Sequence, residues 1–216
     1  MDAASGVGLE AALDDAEIVI DLSNSPSFEA EAAMAFFQAS GRNLIAAERK
    51  AGVRHHVALS VVGTARLQAS GYFRAKQAQE DLIQASGVPH SIIQSTQFFE
   101  FMGAIAGSAT QGQEVLLPSA LIQPIFSDDV AEAVADVALA APLDGRIEIA
   151  GPDRAPLDRM VARFLAAAGD ARVVRTDPAA PYFGLVLEDS ELVPAGPARL
   201  GRATFESFLQ RGGLRT

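Results

Sequence analysis

A chain of 216 residues, 49% apolar and 20% charged, suits one sizeable domain or a domain with a small appended lobe, with enough apolar side chain to fill a core. Its net charge of −10 repels nucleic-acid phosphate and anionic membrane surfaces on average, and without cysteine it can form no disulfide, thiolate nucleophile or thiolate metal site. No run approaches the roughly 18 apolar residues of a membrane span, and "MDAASGVGLE" has neither the basic nor the apolar region of a signal peptide, so a cytoplasmic protein is expected.

Residues 8–16 read as a short helix with Leu9 and Leu13 on one side. "AEIVIDLSN" is a compact β-branched run closed by turn residues, as in a buried strand. Pro26 and Ser27 open a long helical pattern whose stripe is Phe28, Ala32, Phe36, Leu44 and Ile45, with Gly52 as its C-cap. "HHVALSVVG" is a second strand. The helix of "GYFRAKQAQEDLI" follows, then a third strand, "HSIIQST", and a short one at "EVLLP". "SDDVAEAVADVAL" is a helix with Val130, Val134 and Val137 at helical spacing, Ser127 as its N-cap, and Asp128 and Asp129 complementing the dipole. "GRIEIAG" is a strand, "APLDRMVARFLAAAGD" a helix entered at Pro156, and "ARVVRT" and "ATFESFLQR" close the chain. Continuous apolar strands alternating with helices imply a parallel sheet covered on both faces. A lobe boundary is expected near Gly151, giving a domain over 1–150 and a small α/β lobe over 151–216.

The chemistry is concentrated in "GYFRAK". Tyr72 and Lys76, at i and i+4, share a helix face. A phenol is a poor acid at neutral pH, and a neighbouring ammonium is expected to lower its pKa toward the working range. Ser60, twelve residues upstream on a strand, offers a hydroxyl to orient a substrate oxygen. The bland alternative is two polar residues on a solvated face, yet the chain holds only two tyrosines and two lysines, so the pairing is unusual here.

These segments, in this order, resemble the short-chain dehydrogenase/reductase superfamily, most closely its atypical NmrA-like NAD(P)H-binding branch. "AEIVIDLSNS" is similar to the strand ending beside the cofactor, "HHVALSVVG" to the serine-bearing strand and "GYFRAK" to the Tyr-x-x-x-Lys helix. "HSIIQSTQFFEF" is similar to the strand and loop beside the nicotinamide, "IQPIFSDDVAEAVADVAL" to the segment with Asp-Val-Ala, and "GRIEIAGPDRAPLDRMVARFLAAAG" to the start of the substrate lobe. The resemblance implies a Rossmann-type sheet with Tyr72 as general acid, Ser60 as carbonyl orienter and Lys76 as ribose contact. Ser23 and Asn24 would line the cofactor cleft, and Gln97, Phe98 and Phe99 would close over the nicotinamide and a small carbonyl or quinone-like substrate. A non-catalytic NAD(P)(H) sensor is the alternative, since many atypical members have lost the tyrosine.

The family opens with a strand, a glycine-rich turn and a helix that receives the pyrophosphate. "SGVGLE" carries Gly6 and Gly8 but follows no strand, and reads as a flexible helix entry. The chain is therefore expected to begin after the family's first strands, roughly 60 residues in by the size of βαβ units, and to bind NAD(P)H weakly or not at all alone. Strand 17–22 would then be an unprotected apolar edge, open to self-association. His55 and His56 point to opposite faces of a strand, and no metal site is expected. Asp21 reads better as a turn acid than as a site residue. Phe98, Phe99 and Phe101 are pocket walls or core.

Overall fold

The computed structural model describes residues 1–211; the last five residues of the expected lobe lie outside the described ones. In chain order the elements are α1 (Leu9–Ala12), β1 (Ile18–Asp21), α2 (Ala30–Ala51), β2 (His55–Val61), α3 (Gly71–Gln84) and β3 (His90–Ser95). A single 3-10 turn at Phe99–Phe101 leads into α4 (Met102–Ser108), then β4 (Thr110–Gln111), β5 (Glu114–Leu117), β6 (Leu121–Ile122) and α5 (Ser127–Leu139). The chain continues through β7 (Gly145–Ala150), β8 (Ala155–Pro156), α6 (Leu157–Ala167), β9 (Val173–Thr176), β10 (Arg199–Leu200) and α7 (Phe205–Gln210). Among the described residues no helix is long and apolar enough to cross a membrane.

The principal sheet has the order β1-β2-β3-β7-β10, and its β1–β2 and β7–β10 pairs are parallel, as the α/β pattern implies. A three-stranded sheet β4-β5-β9 and the two-stranded pair β6-β8 complete the strands. The chain divides into two compact units, Met1–Gln94 with Glu132–Ile147, and Ser95–Ala131 with Glu148–Thr216. The division is interleaved, in contrast to the single boundary expected near Gly151, because the chain enters the second unit at the last residue of β3, leaves it within α5 and returns within β7.

In the first unit α2 and α3 cover one face of the sheet. Val19 of β1 packs with Leu44 and Ala47 of α2, and Ala58 of β2 packs with Ile83 of α3 and Ile92 of β3. The two helices meet so closely at Gly71 that a Cβ there would sit 2.1 Å from the Ala30 Cβ, which makes glycine a packing requirement at the entry to α3. The buried stripe of α2 is Ala33, Phe37, Ser40, Gly41 and Leu44, one residue out of phase over its first half with the expected Ala32 and Phe36. The reason is the entry. Residues 26–29 stay outside the helix, Phe28 is exposed, and the helix starts at Ala30. Gly52 is the C-cap, at φ 72°, with its N–H donated to the Glu48 carbonyl.

Strand β1 ends the sheet order. Val19 and Asp21 are buried under α2 and α3, while Ile18, Ile20 and Leu22 are 40%, 45% and 56% exposed. Strand alternation thus leaves an apolar row on the edge strand expected to be open.

In the second unit an aromatic cluster forms the core: the Phe99 ring lies 5.3 Å from those of Phe205 and Phe208 and stacks at 6.3 Å on Phe126. Ser127 is the first residue of α5, not its N-cap; its hydroxyl donates to the Glu100 carboxylate. Asp129 accepts the Ala203 N–H at 2.9 Å. It anchors the strand-to-helix connection before α7 as well as complementing the dipole.

Candidate functional site

Parallel strands present ligands to the ends of the sheet at which they finish. At that end of β1, β2 and β3, on the face covered by α3, stand Asp21, Ser60 and Gln94, all buried. The residues of α3 that pack onto them are polar too: Lys76, Gln79 and Glu80 are 2%, 1% and 1% exposed, on the same stripe as Ile83. Buried polar groups at this density must satisfy one another, and here they do so in two clusters.

The first cluster is built on Asp21. Its Oδ1 accepts the Ser23 N–H at 2.9 Å and the Ser23 hydroxyl at 2.6 Å, closing the turn after β1 as the sequence suggests. Its Oδ2 accepts from the Gln79 Nε2 at 2.9 Å. Gln79 Oε1 in turn accepts from the Lys76 Nζ at 2.6 Å, and Lys76 also donates to the Leu59 carbonyl at 2.9 Å. The Lys76 ammonium lies 4.6 Å from the centre of the Phe37 ring.

The second cluster is built on Glu80. It accepts the Ser60 hydroxyl at 2.5 Å and the Gln94 Nε2 at 2.9 and 3.1 Å, and pairs with Arg146 at 2.9 Å. Helix α3 is thereby tied to β2, β3 and β7 through one carboxylate.

Tyr72 stands at the outer end of the same helix face. Its ring packs against Phe28 at 5.1 Å and Phe37 at 6.1 Å, and its hydroxyl donates to the Asn24 Oδ1 at 3.0 Å. Tyr72 and Lys76 do share a face, since both touch Phe37. The expected pairing of phenol with ammonium is not formed. Lys76 turns its amine into Leu59 and Gln79, and burial alone dominates the phenol, whose pKa is pushed up to about 12 instead of down. Nor is the Ser60 hydroxyl free to orient a substrate oxygen, because its proton is committed to Glu80.

The remaining sequence candidates divide. Ser23 and Asn24 lie in the turn after β1, with Asn24 exposed. In the second unit Phe98 is half-buried and bridges to Ile125, whereas Phe99 is fully buried in the aromatic core and is no pocket wall. Gln97 is 8% exposed, and its Oε1 has no partner among the described residues. His55 and His56 do point to opposite faces, toward Ser91 and Glu48. Sequence reasoning missed Gln79, Glu80, Gln94 and Arg146. The one available signal was spacing: residues 76, 79, 80 and 83 form a single helical stripe, which puts the polar three on the buried side with Ile83.

A family model described as NAD(P)H-binding matches residues 1–141. The chain belongs to that NAD(P)H-binding family. Among solved structures this NAD(P)H-binding protein is similar to a nucleoside-diphosphate-sugar epimerase from Staphylococcus aureus, at 14% identity over 97% of this chain and 82% of that one, with a TM-score of 0.70. It is similar to an NADPH-dependent quinone oxidoreductase from Escherichia coli, at 17% identity over 98% and 81% and a TM-score of 0.65. A Citrobacter sp. triphenylmethane reductase complexed with NADP(H) matches at 14% identity over 82% and 61%, with a TM-score of 0.62. At these identities the likeness is one of fold. No curated protein matches the sequence.

The side chains of this NAD(P)H-binding protein fit such a cofactor in part. Tyr72 and Asn24 offer a phenol and an amide where β1 ends, whereas the Ser23 hydroxyl is held by Asp21. Lys76 and Ser60 are spent on internal bonds. Residues 1–17 fold as turns and the four-residue α1, so Gly6 and Gly8, both at positive φ, shape turns without forming a strand–turn–helix phosphate cradle.

The buried amine gives the fold a measurable pH dependence. Burial pushes the Lys76 pKa down from 10.5 to about 8, against the opposing pull of Asp21 and Glu80. Between about pH 8 and 10.5 the unfolded chain therefore binds more protons at this position than the folded one, and stability rises with pH. Tyr72 acts in the opposite sense: with its pKa raised from 10 to about 12, it makes stability fall over that interval. Urea melts across the first window should show wild type gaining about 3 kcal/mol relative to Lys76→Met. Parallel curves for the two proteins would contradict the burial of a titrating amine.

Proposed function

We propose that this chain is an NAD(P)H-dependent oxidoreductase of the atypical short-chain dehydrogenase/reductase type, acting on a small carbonyl or quinone-like compound. The observation that carries the reading is the phenol of Tyr72, held by Asn24 beside the turn at the end of β1 in a chain of an NAD(P)H-binding family. Bound NAD(P)H would supply the hydride. Tyr72 keeps its proton at neutral pH; its one O–H, donated to Asn24 in the free protein, would turn from Asn24 to the substrate oxygen and transfer the proton as negative charge develops there. Asn24 sets the direction of that hydroxyl, and Phe28 and Phe37 exclude water from one side of the ring. Lys76 would meet the ribose after exchanging its internal bonds, and Ser23 and Asn24 would bound the cleft.

A second reading, a non-catalytic NAD(P)(H) sensor of NmrA type, is favoured by one observation. Ser60 and Lys76 are both satisfied internally, as residues kept for structure would be. Under either reading the affinity of the 216-residue chain for NADPH should be weak, since residues 1–17 build no cradle for the pyrophosphate. Titration of nucleotide fluorescence tests this: saturation only far above the low-micromolar range is expected, and low-micromolar binding would contradict it.

A further inference from the structure

We propose that Gln79 is a positioning residue of the site, a two-headed spacer that holds the Lys76 amine and the turn bonded to Tyr72 in one network. The inference rests on the reading that Tyr72 and Lys76 belong to the cofactor and substrate site. Gln79 is 1% exposed, and both ends of its amide are used. Nε2 donates to Asp21 at 2.9 Å and Oε1 accepts from Lys76 at 2.6 Å. The amide cannot rotate, because reversal would set its NH2 against an ammonium and its oxygen against a carboxylate.

The connections form a ring. Tyr72 donates to Asn24, Asn24 follows Ser23, Ser23 donates twice to Asp21, Asp21 accepts from Gln79, and Gln79 accepts from Lys76, one helical turn beyond Tyr72. The counter-charge of Lys76 is thus held one amide away. A direct Lys–Asp pair would hold the amine tightly. The spacer leaves it a neutral acceptor that a ligand hydroxyl can replace, while Asp21 stays committed to the turn. The charged groups acting on Lys76 are Asp21 from β1 and Glu80 from its own helix, and α2 presents the Phe37 ring.

The chain's two lysines make the test clean. With 13Cε-labelled lysine, Lys76 gives one signal, and Lys50, whose side chain is 67% exposed, gives an internal control. In Gln79→Met the Lys76 titration midpoint should fall by about one pH unit, because an acceptor of the charged form is lost. In the double variant Asp21→Asn/Gln79→Glu the donor and acceptor order is restored with the charge moved by one residue, and the midpoint should return to or exceed the wild-type value. Lys50 should not move. An unchanged Lys76 midpoint in Gln79→Met, or no recovery in the double variant, overturns the proposal. Should Gln79→Met fail to fold, urea melts of Gln79→Glu and of the double variant decide. Two carboxylates face each other in the single variant, so recovery in the double supports the spacer and equal stabilities overturn it. Excess NADPH added to wild type should shift the Lys76 signal. Absence of that shift counts against the cofactor reading and leaves the Gln79 result standing.

Discussion

Replacing Glu80 by alanine is expected to cost about 3–5 kcal/mol of folding stability, measured by urea denaturation near neutral pH. The carboxylate is the common acceptor for the Ser60 hydroxyl, the Gln94 amide and the Arg146 guanidinium. Alanine leaves the first two buried without a partner and opens a cavity between α3 and the sheet. Arg146 is 37% exposed and can turn to water, so it adds little to the loss. Glu80→Gln keeps the volume and one acceptor and should cost about half as much. A loss below about 1 kcal/mol in Glu80→Ala would mean that Ser60 and Gln94 find other acceptors at once.

Tyr72→Phe is expected to reduce reductase turnover with a quinone or small carbonyl by about a hundredfold to ten-thousandfold, the usual contribution of a positioned proton donor. The fold should tolerate the change. The ring keeps its contacts with Phe28, Phe37 and Phe73, and the lost bond to Asn24 is partly solvated, worth about 1 kcal/mol. KM should change little, since the hydroxyl acts mainly in the transition state. Equal turnover in the two proteins would remove Tyr72 from the chemistry and favour the sensor.

Patterns that repeat were legible in the sequence. The β-branched runs at 17–22, 55–61 and 90–95 gave the parallel strands, and the capping glycine at 52 gave the end of α2. Four strands of two residues each, β4, β6, β8 and β10, carry no pattern that periodicity can detect. The interleaved units depend on where the chain crosses back through α5 and β7, which is decided by long-range packing. At the site, the shared face of Tyr72 and Lys76 followed from spacing. The destination of each proton did not. Lys76 is drawn to the Leu59 carbonyl, a backbone group that no side-chain pattern reveals, and Ser60 to a glutamate twenty residues later. The polar inner face of α3 runs against the expectation that buried stripes are apolar, and that is why Gln79 and Glu80 escaped notice. Phe99 shows the converse error, an aromatic expected to close over a substrate whose ring serves the core.

The chain's two tyrosines, Tyr72 and the buried Tyr182 of the second unit, allow NADPH binding to be followed at the residue on which the functional reading turns. With 13Cζ-labelled tyrosine, millimolar NADPH should shift the Tyr72 resonance in a saturable way and leave that of Tyr182 in place. A Tyr72 resonance that stays put while nucleotide fluorescence reports binding would place the cofactor elsewhere and contradict the assignment of this site.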